Sequence, residues 1–382
     1  MSKLKGVSLF ANVGIAETYL KDIGIDIVVA NELIEQRAKF YKHLYPVTDM
    51  IVGDITKEET FDCVIKKCRE QKVDFLIATP PCQGMSLAGK MDNADPRNSL
   101  IYYAVKAIKV LKPKYVLIEN VPQQLKTTVF YNGKMTPIPQ YLKEELCNEY
   151  NFAKRSLICA KDFDVPQMRK RNITLLSRKD MKYIWELPSK AHKEITLKEA
   201  IGNLPSVDPI LREGIEETLK IFPDFYKKKE EAIQVSKWHY PPTHAKRHVI
   251  NLMRTPSGCS AIENKMYYPK KENGDRVNGH YNTYRRFAWD KPARTITQNS
   301  GVISSLCCVH PGRAIRDTDD EETRLYSDAR CLTIYELLIV TSLPTDWNIP
   351  EWADERLIRS VIGEGVPPML IKNIALELIN NI

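Results

Sequence analysis

The chain lacks an apolar run near the roughly 18 residues that a bilayer span needs. Its opening, "MSKLKGVSLF", carries no signal-peptide core and goes straight into a strand-like segment. These two absences predict a cytoplasmic protein without a membrane partner. Its nine cysteines contain no C-x-x-C pair. A zinc site needs about four clustered ligands, and His239, His244 and His248 in "HYPPTHAKRH" have no cysteine pair beside them. No metal is expected, and a disulfide framework does not suit a cytoplasmic chain of this size. Cys63 and Cys68 read as packing within one helix, and Cys307 and Cys308 in "SSLCCVH" as a buried strand. Internal repeats and low-complexity segments are also missing.

The 382 residues suffice for a sizeable core, in two domains or one with an insertion. The net charge is +8, and its placement is uneven. Between Phe225 and Arg286 stand 13 lysines and arginines against 5 acids, a local excess equal to that of the whole chain. Trp238, Tyr240, Tyr267, Tyr268, Tyr281 and Tyr284 are interleaved with them. Cations mixed with aromatics suit a nucleic-acid surface. A solvated basic face is the bland reading.

The first half alternates strand and helix patterns. "GVSLF", "IDIVVA", "VDFLIA", "YVLIEN" and "ITLLS" read as strands. "GIAETYLKDI", "NELIEQRAKFYKHL", "NSLIYYAVKAIKVL" and "IPQYLKEELCNEY" read as helices. This alternation predicts an α/β fold, a doubly wound and mostly parallel sheet with ligands at the strands' carboxyl ends. After about Asp180 the pattern degrades, with "KKKEE" as a polar break. "RCLTIYELLIVTSL" reads as a helix, and "PPMLIKNIALELINNI" as an amphipathic helix opened by Pro367 and Pro368.

Several strand ends carry chemistry. "SLFANVGIAE" is a strand, a turn and a helix start, able to present backbone amides to a ligand. Glu32 ends the next strand, about 20 residues on, where an acid can bond ribose hydroxyls. Asp54 in "VGDIT" ends a third strand and suits an exocyclic amine. Together they suggest a nucleoside-type cofactor, although each alone is more often a loop acid. Cys82 follows the stiff pair Pro80 and Pro81 in "TPPCQGMSLAGK". It could be a nucleophile, a redox thiol, a metal ligand or a core residue. Glu119 ends the apolar strand "YVLIEN", so burial should raise its pKa. Arg169 and Arg171 in "QMRKR" stand two apart on an extended segment, able to aim two guanidiniums at a carbonyl and a phosphate. A structural carboxylate and salt-bridged surface arginines are the alternatives.

The order "FANVGI", "TPPCQGMS", "DPRNSL", "IENVPQ", "QMRKR", "KPARTIT", "HPGR…LTIYE" and "IGEGVPP" resembles the DNA cytosine-5 methyltransferases, bacterial restriction-modification type, across essentially the whole chain. The resemblance implies a Rossmann-like S-adenosylmethionine-binding domain over 1–180 and a smaller DNA-recognition domain over 181–350. Segment 351–382 would pack back on the catalytic domain. It implies a site-specific methyltransferase that flips cytosine from double-stranded DNA. Cys82 would be the nucleophile, Glu119 the proton donor, and Arg171 with Arg169 the holders of the base oxygen and phosphate. The implied cofactor residues are Phe10, Ala11, Asn12, Gly14, Ile15, Glu32, Asp54, Ile55, Pro80, Leu100, Glu364 and Gly365. The implied DNA contacts are Gln83, Ser86, Lys90, Arg97 and Thr295. Arg247, Arg254 and Arg276 join them as base readers, because arginine can grip guanine in a bidentate way. A monomer with a cognate restriction endonuclease as functional partner is implied too.

Two departures stand at the expected cofactor site. The family's first motif usually reads Phe-Ala-Gly-x-Gly-Gly, and here Asn12 and Ile15 replace two glycines. Its last motif usually has Gly-Asn, and here Glu364 follows Gly363. The alternatives are a tRNA cytosine-5 methyltransferase, whose Cys-Phe-Thr signature is missing, and a catalytically inactive DNA-binding relative.

Overall fold

The computed structural model describes residues 4–81, 99–189, 193–271 and 273–382. Five apolar segments form a parallel sheet: β1 (Leu4–Leu9), β2 (Ile25–Glu32), β3 (Asp49–Val52), β4 (Phe75–Ala78) and β5 (Tyr115–Asn120). Their order is β3-β2-β1-β4-β5. β4 and β5 are buried at every position, as strands covered on both faces must be. The strand Lys170–Arg178 joins β5 antiparallel, with Ile173 opposite Glu119. Tyr150–Phe152 and Leu157–Cys159 pair with it. The chain order reverses between β1 and β4, which opens a crevice at the strands' carboxyl ends.

Helices α1 (Glu35–Leu44), α2 (Glu58–Gln71) and α3 (Ile101–Leu111) connect these strands. Phe61, Val64, Ile65 and Cys68 of α2 and Ala104, Val105 and Ile108 of α3 pack on one face with Val7, Leu9 and Val116. The helix Pro368–Ile379 covers the other face, where Leu370, Ile371, Ile374 and Leu378 meet Ile27, Phe75, Leu117 and Leu175. Trp185 Nε1 donates to Ile374 O at 3.0 Å. A third cluster joins Val13, Ile15 and Phe40 to Leu337, Ile358 and Ile362.

The structure corrects four local expectations. "GIAETYLKDI" forms two short 3-10 turns, Ile15–Glu17 and Lys21–Ile23, bracketed by left-handed Gly14 (φ 80°) and Gly24 (φ 96°). "KKKEE" is no break but the middle of the helix Phe225–Val235. Lysine and glutamate are good helix formers, and buried Phe225 and Ala232, seven apart, anchor the inner face. Cys307 and Cys308 are buried in no continuous strand. Cys307 has φ 46°, which interrupts a ladder and leaves isolated bridges around it. The basic stretch is not all surface. Arg286 is fully buried and donates to the carbonyls of Leu252, His310, Ser327 and Asp328.

Among the described residues no helix is long and apolar enough to cross a membrane. None of the described His, Cys, Asp and Glu side chains form a metal-binding group of three or more. His239 instead meets Thr333 Oγ1 at 2.9 Å and Pro205 O at 3.1 Å. His244 Nε2 accepts from Cys331 N at 3.1 Å.

Candidate active site

The carboxyl ends of β1 to β5 bring the predicted groups to one edge. After β1 the chain turns through Phe10 (φ 59°), Asn12 (φ 51°) and Gly14 (φ 80°). Only glycine fits at 14, since a Cβ would also meet the Tyr45 ring at 2.3 Å. Ala11 N donates to Asn31 O at 2.9 Å, which ties the turn to β2. Glu32, at the end of β2, accepts from Asn12 N at 2.8 Å and from Ile34 N at 2.9 Å. A carboxylate has about four acceptor positions, so sites remain for a ligand's hydroxyls. Asp54 Oδ1 accepts from Thr56 N at 2.9 Å, and Ile55 beside it is buried. Leu100 lies directly before α3.

The two departures meet in space. Asn12 Nδ2 donates to Glu364 Oε2 at 3.4 Å, and Arg37 holds Glu364 Oε1 at 2.7 Å. Ile15 fills the space over Gly365, where a Cβ would approach its side chain to 2.7 Å. The turn and the C-terminal segment are therefore matched to each other. Glu364 orients the Asn12 amide, because its carboxylate can face only the amide nitrogen. That leaves Asn12 Oδ1 buried without a hydrogen-bond partner. Such an acceptor is costly until a donor meets it, and a cofactor rich in hydroxyl and amine donors fits that chemistry.

The catalytic edge lies one strand over. Thr79 follows β4; its N donates to Leu9 O at 3.2 Å and its Oγ1 to Phe10 O at 3.0 Å. Asn120 Nδ2 donates to Pro80 O at 3.1 Å. Thr79 and Pro80 are thus tied to the turn after β1 and to the end of β5. Cys82, Gln83, Ser86, Lys90 and Arg97 lie outside the described residues.

Glu119 is buried, and the Arg171 Nε stands 2.6 Å from its Oε1. Burial pushes the Glu119 carboxyl up, and the Arg171 and Arg169 guanidiniums pull the other way. The net direction is upward, so the site favours a carboxyl that can hold a proton beside a fixed cation. Arg169 does not share this placement. Its guanidinium donates to Ile296 O at 2.7 Å, Gly363 O at 2.8 Å and Glu364 O at 3.0 Å. It clamps the C-terminal segment and the chain at Ile296 to the start of the strand Lys170–Arg178, where the sequence suggested a base or phosphate contact. Thr295 Oγ1 donates to Met168 O at 2.9 Å in the same seam.

The three base-reading arginines separate. Arg247 is exposed. Arg254 donates to Arg324 O and lies 5.3 Å from the Tyr267 ring. Arg276 donates to Ile262 O and Asn264 O and lies 4.4 Å from the Tyr268 ring. Both are occupied within the fold. Sequence reading missed Arg37 and the role of Asn120. Asn120 could have been found as the polar neighbour of Glu119, but Arg37 offered no signal.

A family model for C-5 cytosine-specific DNA methylase matches residues 4–380. The chain belongs to that family. The methylase is 43% identical over 382 residues to the Type II methyltransferase M1.HgaI of Avibacterium volantium, covering 99% of this chain and 98% of the relative. It is 24% identical to the Type II methyltransferase M1.HphI of Haemophilus parahaemolyticus, over 97% and 85% of the two chains. Its fold is similar to Entamoeba histolytica methyltransferase EhMeth, with TM-score 0.62 at 14% identity over 100% and 99% of the chains. Spodoptera frugiperda DNMT2 gives 0.60 at 16% over 98% and 100%. The methylase is a DNA cytosine-5 methyltransferase, and the tRNA and inactive readings are not favoured.

Proposed function

We propose that Cys82, Glu119 and Arg171 carry out the methylation, with S-adenosyl-L-methionine as donor. The buried Glu119–Arg171 pair, with the neighbouring Asn120 anchoring the Pro80 carbonyl, carries this reading. The target carbon is unreachable in a duplex, so the cytosine must leave the stack. The Cys82 thiolate adds to carbon 6, which makes carbon 5 nucleophilic. Glu119 holds a proton for ring nitrogen 3, and Arg171 faces the ring oxygen, which stabilises the electron pair displaced by addition. When bound, the cofactor supplies an electrophilic methyl group. After carbon 5 is methylated it loses its proton to water, Cys82 leaves as thiolate with restoration of the ring double bond, and the proton on ring nitrogen 3 returns to Glu119. Phe10, Asn12, Gly14, Glu32, Asp54 and Glu364 would hold the cofactor. Arg169 and Thr295 would position this machinery across the seam.

The names of the relatives support a modification role beside a cognate restriction endonuclease. We also propose the division into 1–180, 181–350 and 351–382, acting as a monomer on double-stranded DNA. The experiment is tritium transfer from labelled cofactor to duplex DNA, with bisulfite sequencing to map the site. A fluorocytosine at that site should trap wild type and spare Cys82→Ala. Transfer that survives unchanged in Cys82→Ala overturns the assignment.

A further inference from the structure

Behind the catalytic pair lies a polar pair that the methylation does not use. Gln124 belongs to the 3-10 turn Pro122–Lys126, and Asn172 to the strand Lys170–Arg178, opposite Asn120. Successive side chains leave a strand on opposite faces, so Asn172 points away from the side on which Arg171 meets Glu119. Gln124 is 1% exposed and Asn172 2%. Asn172 Nδ2 donates to Gln124 Oε1 at 2.8 Å. Two amides joined by one such bond leave one amino group and one carbonyl over, and turning both amides round only exchanges which residue keeps which. The groups left over, Gln124 Nε2 and Asn172 Oδ1, are buried and have no hydrogen-bond partner. Such groups are costly until a complementary group meets them.

Both side chains line one cavity of about 150 Å³. Ile138 and Leu142, from the helix Ile138–Leu146, form its apolar walls with Phe152 and Leu175. Arg155 lines it as well, is exposed, and marks its mouth. Its guanidinium donates to Leu187 O at 3.0 Å, which holds it in place. An apolar cavity of about this size takes one six-membered ring. Here the walls suit the faces of a ring, and the amide pair presents a donor and an acceptor to its edge. Waters on the two amides would leave the apolar walls unmatched, whereas a ring with a polar edge meets both.

We propose that this cavity is a second ligand site, for a single-ring lactam, the hydrogen-bonding edge that free uracil-type bases carry. The ring carbonyl accepts from Gln124 Nε2, and the adjacent ring N–H donates to Asn172 Oδ1. The site discriminates by that edge, because a ring without the N–H leaves the buried Asn172 carbonyl unpaired.

The test is calorimetric titration of the full chain with 2-pyridone, the smallest aromatic lactam, with N-methyl-2-pyridone and benzene as controls. Wild type should bind 2-pyridone with Kd about 1 mM or tighter. N-methyl-2-pyridone, which lacks the donor, should bind about 10-fold or more weakly. The double variant Gln124→Met/Asn172→Leu replaces both partners by apolar groups of similar size, which is close to neutral for folding. It should melt near wild type, lose 2-pyridone about 10-fold or more, and keep benzene. Glu119→Gln should bind 2-pyridone within about 2-fold of wild type. Should the double variant fail to fold, wild-type crystals soaked with 2-pyridone decide: a ring between Gln124 and Asn172 supports the site. The proposal is overturned by ordered water alone in that cavity, or by binding at crystal concentration only. It is also overturned if wild type takes all three probes equally, or if the double variant keeps 2-pyridone. Loss of binding in Glu119→Gln would place the ring at the catalytic pair and overturn it too.

Discussion

Glu17 should make the stability of this methylase fall as pH rises toward neutrality. The residue is 4% exposed, and its carboxyl accepts from the Tyr41 hydroxyl beneath the cofactor turn. Burial is the main cause of its raised pKa, about 7 against an ordinary 4.5, and bonds from Ser8 and Tyr41 only partly offset it. Between those values the folded chain keeps a proton that the unfolded chain has released. The contribution is therefore fully present below about pH 4.5 and is lost as pH rises through about 7. The gap corresponds to about 3 kcal/mol. Glu17→Gln keeps the shape and titrates nowhere in this range. Urea unfolding at pH 5 and pH 8 measures the effect, and the difference between the two proteins cancels every other titrating group. Wild type should lose about 2–3 kcal/mol more than Glu17→Gln over that interval, slightly less than the full gap because pH 5 lies above 4.5. The variant should be the more stable protein at pH 8. If both proteins change by the same amount within about 0.5 kcal/mol, Glu17 is ionised in the fold and the argument fails.

Glu119→Gln should lower the single-turnover rate about 100-fold or more. Because the Glu119 carboxyl is shifted upward, its protonated fraction falls as pH rises, so kcat/KM should decline on the alkaline side; an unchanged profile in the glutamine variant would refute the role. Asn12→Gly and Glu364→Asn each move one departure toward the family pattern, and their effects on unfolding should be non-additive by about 0.5 kcal/mol or more. Strict additivity would show that the 3.4 Å contact carries no coupling. Arg247→Ala should lower the salt slope of DNA binding by about 1 at unchanged stability. Arg254→Ala and Arg276→Ala should instead reduce the melting temperature, because their guanidiniums hold backbone carbonyls.

Local patterns were legible where burial dictates composition. "YVLIEN" is β5 residue for residue, and Glu119 at its end is buried as an acid closing an apolar strand must be. The helix Pro368–Ile379 follows its apolar spacing, with a proline opening its first turn. Failures came where the deciding partner is distant in sequence. Arg169 looks like its neighbour Arg171 in the string, yet it reaches carbonyls 127 to 195 residues away. Arg254, Arg276 and Arg286 look like a nucleic-acid surface because composition cannot tell a solvated guanidinium from one that satisfies buried carbonyls. The 3-10 turns after β1 escaped because apolar spacing does not show where a left-handed glycine stops the helix.

The departures from the family pattern follow the same logic. Read singly, Asn12, Ile15 and Glu364 each look like damage to a cofactor site. Read together they are two contacts: an amide on a carboxylate, and a branched side chain over a glycine. Ile15 can stand in the turn because residue 365 has no Cβ, and Asn12 can hold its amide there because residue 364 accepts from it. A glycine turn would have no such side chains to match. The substitution in the first motif therefore touches the one in the last, 352 residues on. The two segments act on each other through side chains, and Arg37 joins them by neutralising the half-buried Glu364 carboxylate at 2.7 Å.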